Sequence, residues 1–185
     1  GINGNNEDVV TGVANDNASG AIYAAGYTKS SGAITGTAGT VSGGQDAFLI
    51  KYTTSGSLAW SFTPSGNGTS QATGIAVDAN GNSYVTGWYK NSIDLHGLSA
   101  TGSGVLIGNG DLNWFIASYA SDGTLRWCSQ VGGPNDDTPS SIAVSNDAVY
   151  VLGTIKGRIT TPYGSVSNSL PTGKYNLVLV KYSLN

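Results

Sequence analysis

The chain has 185 residues, a formal net charge of −3, 39% hydrophobic residues and only 10% charged ones. Sparse, scattered cations argue against nucleic acid or an anionic membrane as a partner. One cysteine, Cys128, excludes an internal disulfide and any multi-cysteine metal site, and no apolar run reaches the ~18 residues of a membrane-spanning helix.

The chain opens with "GINGNNED", starts at Gly1 and contains no Met, which gives the expectation of a processed or excised polypeptide. Next comes "TGVANDNASGAIYAAGYT" at 11–28: a short apolar run, a polar turn, then an alternating run ending near Gly26. The same order returns in "TGIAVDANGNSYVTGWY" at 73–89, with Gly87, and in "SSIAVSNDAVYVLGT" at 140–154, with Gly153. A second block follows each: "DAFLIKY" at 46–52, "NWFIASY" at 113–119 and "NLVLVKY" at 176–182. Tyr52, Tyr119 and Tyr182 close these blocks 67 and 63 residues apart. Two of the three blocks continue through a Gly-x-Leu-x-Trp segment to Trp60 and Trp127.

The alternation has period two, the pattern of strands with one buried face. Asn80-Gly81 between two such runs predicts a type I′ hairpin, which needs positive φ at both central residues. Ser55-Gly56 and Asp122-Gly123 occupy the turns before the tryptophans. No segment carries a helical period with caps. The reading is an all-β chain of up to twelve strands, four to a unit of about sixty residues, as in propeller blades. It is one repeat-built domain over 1–185, with units at approximately 1–60, 61–127 and 128–185.

These landmarks resemble the SBBP family of β-propeller repeats. The residues that carry the likeness are "GGQDAFLIKYTTSGSLAW" at 43–60, "GIAVDANGNSYVTG" at 74–87 and "WCSQVGGPNDDTPSSIAV" at 127–144. The third unit departs from the pattern, with "SNDA" at 145–148 and Asn176 where the first has Asp46. The resemblance implies three four-stranded antiparallel propeller-type repeats, a partial β-propeller, in a cell-surface or extracellular context. The tryptophan spacing would place a third tryptophan just before Gly1, so "GINGNNED" reads as the continuation of a split strand. Three units are fewer than the four to eight of closed propellers. Three outcomes are open: part of a longer propeller, association with copies of itself into a ring or filament, or a closed threefold β-prism or β-trefoil. The expected assembly edge comprises Gly1, Ile2, Asn3, Leu177, Leu179, Lys181 and Leu184.

Candidate chemistry is thin. His96 lies two residues after Asp94, but no motif that positions a serine nucleophile accompanies it. Cys128 reads as a small buried hydrophobe. Glu7-Asp8 and Asp136-Asp137 occupy one repeat position and read as carboxylates accepting backbone N–H groups at a turn. "NDNASG" at 15–20 and "DANGN" at 78–82 offer Asn15, Asn17, Asp78 and Asn80 as weak calcium candidates, although hairpin turns explain them better. Sequons occur at Asn17 and Asn67. Between the halves of each unit lie connections at 29–45, 90–112 and 156–175. Loops on a rigid scaffold are where binding usually resides. Trp88, Tyr89, Asp94 and His96 at the longest connection are the candidate sugar-binding residues. The expected function is a non-enzymatic, cofactor-free structural or interaction module of the cell surface or extracellular space, partnered by further repeats or by copies of itself. The alternative is a carbohydrate-binding module using the 88–112 loop.

Overall fold

The computed structural model describes residues 6–30, 44–98, 104–109, 111–157, 159–161, 164–166 and 174–184. Among them there is no helix, and the strands are β1 (Asp8–Asn15), β2 (Ile22–Thr28), β3 (Asp46–Tyr52), β4 (Leu58–Phe62), β5 (Ser70–Val77), β6 (Ser83–Tyr89), β7 (Ser92–Asp94), β8 (Val105–Ile107), β9 (Asn113–Tyr119), β10 (Leu125–Val131), β11 (Thr138–Val144), β12 (Ala148–Lys156), β13 (Ile159–Thr161), β14 (Gly164–Val166) and β15 (Tyr175–Ser183). They form three antiparallel meanders: β1-β2-β3-β4 (sheet 1), β5-β6-β9-β10 (sheet 2) and β11-β12-β15 (sheet 3). Two small hairpins, β7-β8 and β13-β14, stand apart. Sheet 3 has three strands among the described residues, where four are expected. The two small hairpins lie in the connections at 90–112 and 156–175.

The sheets pack face to face in the order 1, 2, 3, with β1 and β2 against β5, and β11 against β5 and β6. Sheet 2 is therefore covered on both sides. In β9, Phe115, Ala117 and Tyr119 join Tyr23, Leu49, Trp60 and Phe62 of sheet 1 in one core. The alternate residues Trp114 and Ile116 join Val149, Val151, Val180 and Tyr182 of sheet 3 in another. All seven residues of β9 are buried, so the single buried face expected from period-two alternation does not hold for the middle sheet. Each large side chain in these layers contributes about 1.5–3 kcal/mol by leaving water. No closed barrel forms: among the described residues β15 pairs only with β12, and β1 only with β2.

One irregularity recurs in all three sheets. The first strand bulges opposite the second, between Val10 and Gly12, between Ala72 and Gly74, and between Pro139 and Ser141. The residue facing each bulge is Gly26, Gly87 or Gly153. A Cβ there would lie 1.9 Å from Val9 O, 2.0 Å from Gln71 O or 2.6 Å from Thr138 O. The bulged strand leans onto its partner so closely that only glycine fits. These three glycines, visible in the sequence as unit landmarks, are fixed by that contact.

The hairpin at Asn80-Gly81 is present, but it is not type I′. Positive φ is found at Gly81 (75°) and not at Asn80, and Gly81 N–H donates to Asp78 O at 3.1 Å. This is a type I turn followed by a left-handed glycine, with the bulge that suits a longer hairpin loop. Gly56 and Gly123 repeat it, with φ of 78° and 89° and N–H bonds to Thr53 O and Ala120 O. The deciding residue is Asp78, whose side chain organises the turn in place of a strained asparagine.

Candidate functional site

The sugar-binding residues proposed from sequence are brought near one another but do not form a platform. Tyr89 is fully buried against Phe115 in the core between sheets 1 and 2, so the expectation that it stacks on a sugar is overturned. Adjacent strand residues face opposite sides, and with both sides of sheet 2 covered Trp88 is itself half-buried, paired across the strands with Trp114. Ile93 and Leu95, flanking Asp94, are also core residues.

Asp94 and His96 serve the loop. Asp94 Oδ1 accepts the His96 backbone N–H at 3.1 Å and lies in close contact with His96 Nδ1. His96 Nε2 accepts the Gly104 N–H at 3.2 Å. That acceptor role places the ring proton on Nδ1, aimed at Asp94. The nitrogen that a serine nucleophile would need is taken by backbone. Asp94 N–H and Leu95 O are tied to Ser65 O and Tyr119 OH at 2.7 and 3.0 Å. The pair thus pins the strand-to-loop transition.

Cys128 is half-buried, and burial, followed by the nearby Asp94 carboxylate, pushes its thiol up. A raised thiol is a poor nucleophile. The acidic pairs divide. Asp137 is buried and accepts Gly133 N–H at 2.7 Å and Lys156 N–H at 2.9 Å; Asp136 accepts Leu112 N–H at 3.2 Å. These are the backbone bonds expected. Asp8 instead accepts the hydroxyls of Thr28 and Ser30, and Glu7 takes Lys29 and Tyr27 OH.

Among the calcium candidates, Asn15, Asn17 and Asp78 line one open groove of about 370 Å³ between the turns of sheets 1 and 2. Asp78 is saturated, however. Its carboxylate accepts Asn80 N–H, Asn82 N–H, Asn82 Nδ2 and Tyr84 OH, all at 2.9 Å. Asn15 Nδ2 donates to Asn17 Oδ1 at 2.6 Å. A cation would have to displace the bonds that make the turn. Among the described residues, no group of three His, Cys, Asp or Glu side chains could hold a metal ion. The sequon asparagines Asn17 and Asn67 are exposed.

Exposed apolar surface marks a different place. On the face of sheet 3 turned away from sheet 2, Leu177 and Leu179 are 70% and 62% exposed. Their counterparts Ala47 and Leu49 in β3, and Trp114 and Ile116 in β9, are buried by the following sheet. At the opposite end, Val10 and Val13 of β1 are 51% and 64% exposed, whereas the matching Ala72 and Ile75 of β5 lie in the core. Of the edge residues read from sequence, Lys181 is exposed beside Asp147, Leu184 packs partly into the core, and Gly1, Ile2 and Asn3 lie outside the described residues. Val10 and Val13 were missed, although alignment of the repeats with Ala72 and Ile75 would have marked them.

The segment that opens sheet 2 is also the one that known families identify. Residues 65–88 match the model of the SBBP beta-propeller repeat. No curated protein matches the chain. Within the matched segment lie Ser65, bridged to Asp94, the bulge at Thr73, the Asp78 turn and Gly87. Its landmarks are therefore backbone devices that shape one sheet and its junction with the next.

Proposed function

We propose that the chain is a non-enzymatic structural or interaction module of the extracellular space or cell surface. It is built of three propeller-type repeats that form a partial β-propeller, and it assembles through its open sheets with further repeats or with copies of itself. The observation that carries this reading is the exposure of Leu177 and Leu179 on sheet 3 and, at the opposite end, of Val10 and Val13 on sheet 1, where the equivalent residues inside the chain are buried. Apolar side chains left exposed where their repeat equivalents are buried mark faces that a partner can cover. The absence of catalytic chemistry is supported by Asp94, His96 and Cys128, each committed to structure or suppressed in reactivity. The extracellular setting is supported by low charge and by the SBBP likeness.

A tandem fusion of two copies tests the reading. Covering one sheet 3 face with one sheet 1 face raises the thermal midpoint of the fusion above that of the single chain at equal residue concentration. An unchanged midpoint would remove assembly through these faces.

A further inference from the structure

We propose that the two open faces bind each other head to tail between two copies of this chain, closing a six-sheet ring. The proposal rests on the assembly reading and names its partner. Its argument is that the intersheet contact occurs twice within the chain, and both halves of a third instance remain exposed.

The internal contact has a fixed chemistry. The position after each bulge is Gly12 in sheet 1, and its Cα faces Ile75 of sheet 2: a Cβ there would stand 3.2 Å from Ile75 Cγ2. Gly74 faces Ile142 of sheet 3 in the same way, at 3.1 Å. The third instance pairs Ser141, exposed on sheet 3, with Val13, exposed on sheet 1. Where the internal pairs are glycine with isoleucine, this one is serine with valine. The added hydroxymethyl on one side is matched by a methyl removed on the other, so the summed volume is nearly kept, as close packing requires. That match lies between two faces of this one chain, and it is the observation that points to a second copy as the occupant.

Polar contacts of the first junction also have counterparts at the open faces, although the second junction does not repeat them: there Thr73 Oγ1 donates within sheet 2 to Thr86 O at 3.3 Å, and Ser118 stands where Lys51 does. Thr11 Oγ1 donates across the first junction to Ala72 O at 2.7 Å. Ser140, at the same position in sheet 3, keeps the hydroxyl, is exposed, and would donate to Val10 O of the second copy. Lys51 lies over the Tyr23 ring and donates to Ser121 O of the next sheet at 2.7 Å. Lys181 lies over Tyr150 in the same relation, and would reach Thr54 O, which stands where Ser121 does. A heterologous contact either closes a ring or propagates. Two copies bring six sheets, inside the range of about four to eight at which propellers close.

Sedimentation equilibrium across the micromolar range is expected to give twice the chain mass of 18.8 kDa. Val13→Asp and Leu179→Asp, both at exposed positions, are each expected to give monomers with unchanged far-ultraviolet circular dichroism. Mixed together they regain one intact junction and form a heterodimer, which a symmetric face-to-face dimer would not do. In a Cys128→Ser background, Val13→Cys with Ser141→Cys is expected to yield a covalent dimer on oxidation with diamide. A monomeric chain at every concentration overturns the proposal, as does a dimer that survives Val13→Asp, or a cysteine pair that never cross-links between chains. A stabilised tandem fusion alongside a monomeric single chain would leave the assembly reading standing and remove this one.

Discussion

The indole N–H of Trp60 donates to the carbonyl of Ser121 at 3.1 Å, tying β4 of sheet 1 to the β9–β10 turn of sheet 2. Trp127 holds the equivalent position in β10 and stacks on Tyr182 at 5.6 Å, but its buried N–H has no acceptor among the described residues. Two tryptophans that look alike in sequence thus differ by one hydrogen bond.

Phenylalanine at each position separates that bond from the ring. Both substitutions lose similar apolar area, while only Trp60→Phe gives up a satisfied donor; Ser121 O keeps the Lys51 ammonium at 2.7 Å as its remaining partner. Trp60→Phe is expected to cost about 1 kcal/mol more than Trp127→Phe, read from urea midpoints at constant slope. Equal costs would show that the Ser121 contact contributes nothing.

Gly87→Ala addresses the bulge. Its Cβ would meet Gln71 O at 2.0 Å and Phe115 Cε1 at 2.7 Å, and the first of these is backbone that cannot rotate away. The expected loss is about 3 kcal/mol, at the upper end of ordinary overpacking. Gly56→Ala is the control: it has open space but a φ of 78°, so its cost is conformational and about 1 kcal/mol.

Much of this was legible from Gly26, Gly87 and Gly153, because a clash between backbone and Cβ leaves a residue type as its trace. The recurring tyrosines and tryptophans likewise disclosed the meander order. What stayed hidden depends on layers meeting. Tyr89 alternates like an exposed strand residue, and only the packing of sheets 1 and 3 on sheet 2 shows that both of its faces are covered. The Asp78 turn was misread because Asn-Gly signals type I′ by itself, while four hydrogen bonds to the Asp78 carboxylate select a different geometry. Val10 and Val13 are ordinary strand residues by composition, and their exposure follows from there being no sheet packed on that face of sheet 1 among the described residues.

Tyr89→Phe tests the core placement directly. The hydroxyl is buried with no hydrogen-bond partner among the described residues, and burial raises its pKa far above the ordinary phenol value. Removing an unsatisfied hydroxyl from the interior is expected to stabilise the fold by about 1 kcal/mol. A destabilisation of that size would mean that the hydroxyl has a partner in solution.

Acid titration separates Asp78 from Asp137. Burial pushes Asp78 up, but bonds from Asn82, Tyr84 and Asn80 outweigh it, and the net pKa lies below the ordinary value. A depressed carboxylate contributes stability above its unfolded pKa of about 3.9, lost as pH falls through the folded value. Asp137 has the opposite sign. Burial raises it, more than the N–H groups of Lys156 and Gly133 lower it. Its contribution is fully present below about pH 3.9 and is lost as pH rises through its elevated folded value. Stability of Asp78→Asn relative to the parent is therefore expected to be lowest near neutral pH and to converge on it in acid. Asp137→Asn loses one of two accepted N–H bonds, so it is expected to be less stable than the parent in acid and to recover part of the difference as pH rises. Urea midpoints of both variants between pH values in the acid and neutral ranges measure the slopes. Parallel profiles for the two would contradict the opposed shifts.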